Sequence, residues 1–297
     1  MEEVLQLPLW IKIVGCVVPL LIIILNSIEI HMLKSTRNKA FYEKILLSLT
    51  ICDLMTGIYG IFWVPLMSHA KVEICILYWI GWTFLGGYCT MNSTMHLVII
   101  SMDRLWALAA PLHHRRCASN RKLFGVIAIS WSTPSIYTLA NITIVIIRKL
   151  DLHKLYSYTT TSMAKHMAVI LTIANLVLVI SYSAIILVIW RQKSKREHYT
   201  QARQRQFMNT IILCMCIALV FVTASTPYLV AHIVEWNRPV WLRTLSMFLF
   251  PMNQILNSLL YMIQKIRTKA RIIITKNNQN INADMEGNAG DIELWGT

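Results

Sequence analysis

Residues 165–190 read KHMAVILTIANLVLVISYSAIILVIW. After Lys165 the stretch carries no Asp, Glu, Lys or Arg and no proline. A helix crosses the ~30 Å hydrocarbon layer in about 20 residues, at ~1.5 Å of rise each, so an uncharged apolar run of this length reads as a membrane span. One such run alone also fits a buried helix of a water-soluble core. Six more, at 9–33, 45–68, 74–106, 122–147, 206–234 and 239–263, make that alternative untenable. The expected fold is an all-α membrane protein, a seven-transmembrane helix bundle in one domain over 1–275. Pro227 and Pro251 lie inside the sixth and seventh runs, where neighbouring helices satisfy the backbone groups that a proline frees.

Composition agrees. Hydrophobic residues make up 56% of the 297 and charged residues 14%, against roughly 25% charged in soluble domains. The mean hydropathy is +0.53. The formal charge of +14 does not point to nucleic acid, because the basic residues flank apolar runs. With the N-terminus outside, 19 Lys and Arg fall on the inner side and 8 on the outer. That asymmetry orients a multi-pass protein with an extracellular N-terminus and a cytoplasmic C-terminus, and the plasma membrane is the expected location. Met1 to Trp10 contains Glu2 and Glu3 and no basic segment, so the first run is expected to be its own insertion signal. Gln264–Thr275 has Ile266, Ala270 and Ile273 at helical spacing among bases and reads as a short amphipathic helix on the inner leaflet. Residues 276–297, rich in Asn, Gly and acids, read as a disordered cytoplasmic tail. The seven cysteines suggest no disulfide framework, since most lie within spans.

Ionisable groups inside a bilayer are costly and mark function. Asp53 lies in the middle of the second run, with Ser93 in the third and Asn253 and Asn257 in the seventh at similar depth. The two Asn are four apart and share a helix face. A carboxylate with hydroxyl and amide oxygens suits a small cation. A hydrogen-bond network around a protonated Asp53 is the alternative, and spacing leaves both open. At the inner end of the third run, Asp103 precedes Arg104. On spacing alone the pair reads better as an interface anchor.

The motifs around these residues resemble those of rhodopsin-like (class A) G-protein-coupled receptors. Asp103-Arg104-Leu105, followed by Ala110-Pro111-Leu112, is similar to the Asp-Arg-Tyr motif and its proline loop. Asn26, the Leu49–Asp53 stretch, Trp131, Tyr182, Thr226-Pro227-Tyr228 and Asn257-Ser258-Leu259-Leu260-Tyr261 match one signature per remaining helix, in order, over residues 13 to 275. The resemblance implies a receptor transmitting an extracellular signal to heterotrimeric G proteins. It implies coupling and activation roles for Asp103, Arg104, Tyr182, Pro227, Asn257 and Tyr261, and a sodium pocket of Asp53, Ser93, Asn253 and Asn257. No other cofactor is expected.

Departures are part of the reading. Leu105 replaces the motif Tyr, Ser258 the seventh-helix Pro, and Ser225 the sixth-helix switch Trp. The loss of that Trp removes a bulky restraint. Phe207 stands where many of these receptors carry an acid that holds the motif Arg, which implies ligand-independent signalling. Trp79 stands where the outer disulfide Cys belongs, and no proline occurs near Ala174. These absences are similar to the branch holding melanocortin, cannabinoid, lysophospholipid and adenosine receptors.

Gly86 occupies the place of the Asp of amine receptors, and the seventh run has no Lys before Lys265 for a retinal Schiff base. The expected ligand is a small molecule, a lipid or a short peptide. Trp82, Gly86, Thr90, Tyr228 and His232 are the candidate outer pocket. A seven-helix transporter or channel using the Asp53 cluster is the competing reading, but it calls for repeats and broken helices that the chain lacks. An enzyme is not expected. His31, His96, His166 and His232 share no metal-ligand spacing, and a lone membrane His is more often a hydrogen-bonding group.

Overall fold

The structure is a computed structural model. It describes residues 9–35, 41–68, 87–117, 119–149, 164–193, 201–233, 249, 251–267 and 270. Nearly all of them are helical: α1 Leu9–Lys34, α2 Phe41–Ser68, α3 Tyr88–Ala109, α4 Pro111–Cys117, α5 Asn120–Arg148, α6 Ala164–Lys193 and α7 Gln201–Ile233, then α8 over 251–267. Each sequence-derived span has its helix. Among the described residues, α1, α2, α5, α6 and α7 contain stretches long and apolar enough to cross a membrane. The described part of α3 starts at Tyr88 and bears Asp103 and Arg104. The outer part of the third span (74–86), most of 239–248, and the inner-leaflet helix and tail beyond 270 lie outside the described residues.

Two boundaries differ from the sequence reading for physical reasons. α7 begins at Gln201, five residues before the apolar run, because Gln, Ala and Arg are good helix formers and carry the helix past the bilayer edge. The segment after α3 folds into α4. Pro111 opens that helix at its first position, where a missing N–H costs nothing, and His114 N donates to Ala110 O at 2.9 Å. Ser119 caps α5, its hydroxyl accepting from Lys122 N.

The helices are apolar on the outside and polar where they meet, as lipid requires. On α5, Phe124, Ile129, Ile136, Leu139 and Ile146 face outward. The main core gathers Leu46, Leu49, Leu97, Ile100, Leu171, Leu178, Ile217 and Phe221 from α2, α3, α6 and α7. α3 is the hub, packing on α2, α4, α5, α6 and α7. α1 packs closely on α2. A Cβ placed on Gly60 would lie 2.7 Å from Cγ of Pro19 and one on Gly57 would lie 2.8 Å from Ile22 Cγ2. Small residues here let the two backbones approach.

Buried side chains bond the helices together. His96 Nδ1 donates to Asn92 O at 2.7 Å, so its Nε2 is left to accept from Ser48 Oγ at 2.8 Å. Trp131 Nε1 donates to the same hydroxyl at 2.8 Å. α2, α3 and α5 thus meet on one serine, and His96 is the hydrogen-bonding group that its isolation suggested.

Candidate functional site: two polar centres on one hub

The first centre lies at mid-membrane. Ser93 Oγ on α3 donates to Asp53 Oδ1 on α2 at 2.6 Å. Beside it, Cys52 Sγ donates to Cys89 O at 3.3 Å, a second α2–α3 tie. Asn257 of α8 lies against the Asp53 carboxylate without closing a hydrogen bond of good geometry. Its amide nitrogen and oxygen, with Asn253 Oδ1, have no partner among the described residues. Unpartnered buried oxygens beside a carboxylate are the donor set of a hard monovalent cation. The predicted quartet is therefore brought together in part. Asp53 and Ser93 are bonded and Asn257 adjoins them, while Asn253 is buried on the same helix with its oxygen free of protein partners.

The same centre extends to α1, which the sequence reading left out. Glu29 is 2% exposed, and Asn26 and Ser258 are fully buried. Ser258 Oγ lies 3.0 Å from Asn26 Oδ1 and 2.7 Å from Glu29 Oε2. Asn26 Nδ2 donates to Ile22 O at 2.8 Å. The signal that marked Asp53, an acid inside a long apolar run, is equally present at Glu29.

The second centre is the inner end of α3. Arg104 pairs with Oδ2 of Asp103, and both are buried. The other Asp103 oxygen lies 2.8 Å from His114 Nε2 on α4. The Arg104 guanidinium stacks over the Tyr42 ring of α2, 4.2 Å from its centroid, a cation–π contact. His114 is held edge-on to Trp106 and Phe41, with centroids 5.1 and 6.4 Å away. One acid thus takes a base from α3 on one oxygen and an imidazole from α4 on the other. Position in the bundle alone does not say what the pair is for.

Comparison with known proteins supplies the family. The family described as "7 transmembrane receptor (rhodopsin family)" matches residues 20–261. The chain belongs to the rhodopsin family of seven-transmembrane receptors. A D(1)-like dopamine receptor of Oreochromis mossambicus is 28% identical over 127 residues, 40% of this chain and 32% of that protein. A D(5)-like dopamine receptor of Takifugu rubripes is 29% identical over 105 residues, 35% of this chain and 22% of its own length. G-protein coupled receptor 39 of Mus musculus is 25% identical over 145 residues, 44% and 31% of the two chains. The matched stretches span about a fifth to a third of these relatives.

The remaining predicted residues fall into place unevenly in this receptor. Tyr182 packs on the main core and lines a small cavity with Tyr42, Leu46, Leu213 and Cys214, one helix layer from Arg104. Tyr261 is buried, and its hydroxyl has no hydrogen-bond partner among the described residues. Pro227 lies within α7. Ser225 has a partner that the sequence did not show. Asn175 Nδ2 of α6 donates to Ser225 Oγ at 2.9 Å, so a polar tie stands where a bulky ring was missing. The outer pocket falls largely outside the described residues. Trp82 and Gly86 lie outside the described residues, as does the side chain of His232. Thr90 and Tyr228 are half-buried, and Tyr228 packs on the main core. Nothing in the sequence singled out His114 or Tyr42, since both act through contacts between helices.

Proposed function

We propose that this protein is a G-protein-coupled receptor of the plasma membrane, which passes an extracellular signal to a heterotrimeric G protein through the inner end of α3. The observation that carries the reading is the buried Asp103–Arg104 pair, held by His114 and stacked on Tyr42. A guanidinium held by Asp103 of its own helix and Tyr42 of α2, with His114 of α4 bracing the acid, is poised for exchange. It trades internal partners for an external one once the helices around it move. Asp53, Ser93, Asn253 and Asn257 act as a sodium pocket that favours the resting arrangement.

The ligand is a small molecule, a lipid or a short peptide. Dopamine is named in the names of two relatives, but Gly86 stands where amine receptors of the family carry an Asp, so the amine is not carried over. The test is twofold. A tag before Met1 should be reachable on intact cells, and one after Thr297 only after permeabilisation. In the same cells, second-messenger output should exceed that of mock-transfected cells at matched surface density, and a ligand screen read by that output should find the agonist. Reversed labelling would overturn the receptor reading.

A further inference from the structure

The contacts of Glu29 raise a question of proton supply. Ser258 has one hydroxyl proton but two acceptor oxygens within reach, Asn26 Oδ1 at 3.0 Å and Glu29 Oε2 at 2.7 Å. The Asn26 amide cannot turn round to help. Its Nδ2 is committed to Ile22 O at 2.8 Å, so its oxygen faces Ser258 and only accepts. Thr50 also touches Glu29, but its own proton goes to Leu46 O at 2.8 Å. Both hydroxyls beside Glu29 therefore have other acceptors for their protons. An ionised Glu29 would share Ser258's single proton with Asn26 and would face a lone pair from Thr50. A neutral Glu29 completes the set, donating to Ser258, which donates to Asn26, which donates to Ile22.

Charge counting leads to the same place. Asp53 from α2 and Tyr261 from α8 act on Glu29, and both are acids. On α8, Lys265 is paired with Glu43 at 3.8 Å. Without a cation between them, two neighbouring buried carboxylates do not both stay ionised in the bilayer interior, and a single monovalent cation at Asp53 balances only one of them.

We propose that Glu29, Ser258 and Asn26 form a proton-binding site on the seam between α1 and α8, with Glu29 a neutral acid that donates to Ser258. The proton is the ligand, and the site adjoins the cation donors around Asp53 without sharing a residue with them. Ser258 is the residue that replaces the motif proline, so the substitution that removes a bend supplies the acceptor the acid needs. Motion that carries Ser258 away from α1 leaves Glu29 without its acceptor, and loss of the proton to water leaves Ser258 with two acceptors and one hydrogen. Closure of the seam and proton occupancy are thereby linked.

Infrared spectroscopy of the purified full-length receptor in lipid nanodiscs tests this. Relative to wild type, Glu29→Gln should lose one carboxylic-acid carbonyl band and no carboxylate band. Any acid band that persists is assigned by Asp53→Asn. Ser258→Ala keeps the acid but removes its acceptor, so the Glu29 band should stay and move to higher frequency. Heat stability supplies a second readout. The chain is intact while the proton is bound and is broken as pH rises, so wild type should lose stability with rising pH more steeply than Glu29→Gln. A carboxylate band lost in Glu29→Gln, an unmoved acid band in Ser258→Ala, or parallel pH profiles would each overturn the site. If Glu29→Gln does not accumulate, the Ser258→Ala band position decides alone.

Discussion

The two polar centres of this receptor solve the cost of burial in opposite ways. At the inner end of α3 every charge has a counter-charge or an aromatic face: Arg104 on Asp103 and Tyr42, Asp103 on His114. At mid-membrane two acids have only hydroxyls and amides: Ser93 on Asp53, Ser258 on Glu29. The first centre is neutral within itself and is disturbed by removing a partner. On the reading proposed above, the second is completed by a small cation or a proton and is disturbed by what the solution contains. On that reading one helix bundle holds a site that answers to protein partners and another that answers to ions.

The largest effect that separates the centres is expected at Arg104. Arg104→Ala should bring second-messenger output down to the mock level at matched surface density, because this centre loses the group proposed to meet the G protein. Output that survives would place coupling elsewhere. Next comes Asp53→Asn. If sodium binds this pocket, tenfold saturation adds about 1.4 kcal/mol to the folded state by mass action. Wild type should then be more heat-stable in sodium than in a bulky organic cation, and the variant should show no difference. A sodium effect kept in Asp53→Asn would put the ion in another place.

His114→Phe asks for less. It keeps the edge-on contacts with Trp106 and Phe41 and removes the bond to Asp103. One hydrogen bond is worth about 1 kcal/mol, or roughly fivefold in a two-state population, so ligand-independent output should rise by about that factor. No rise would mean that His114 only fills space. The smallest effect is expected at Phe207, whose backbone lies in α7. No Asp or Glu occurs from His198 to Val234, so Phe207→Glu offers Arg104 a new acid and should lower basal output by a few-fold. An unchanged output would show that the partners Arg104 already has leave no room for another.

The spans were legible because an apolar run long enough to cross a bilayer has few alternatives. Asp53 with Ser93, and Asp103 with Arg104, were legible for a related reason: polar groups inside such runs are few. The missing parts are pairings between helices. Ser258 and Glu29 are 229 residues apart in the chain, and spacing within one helix says nothing about which α1 residue faces which α8 residue. Ser258 was read as a lost proline and Ser225 as a lost ring, because a sequence shows the departure and not the new partner. Asn175 and Glu29 supply those partners. Glu29 carries the same signal as Asp53, an acid inside a long apolar run, but it lies nearer the end of its run and matches no family motif.

The close approach of α1 and α2 bears on what can move. With Gly60 under the rigid ring of Pro19 and Gly57 under Ile22, there is no clearance for one helix to slide or roll against the other. Mechanically the two are a single post. α8 meets that post through Ser258 on the α1 side, through Asn257 on the α2 side, and lower down through the Lys265–Glu43 pair. Any tilt of α8 is therefore measured against one fixed edge, and its polar contacts along that edge must lengthen together, like latches on the same door.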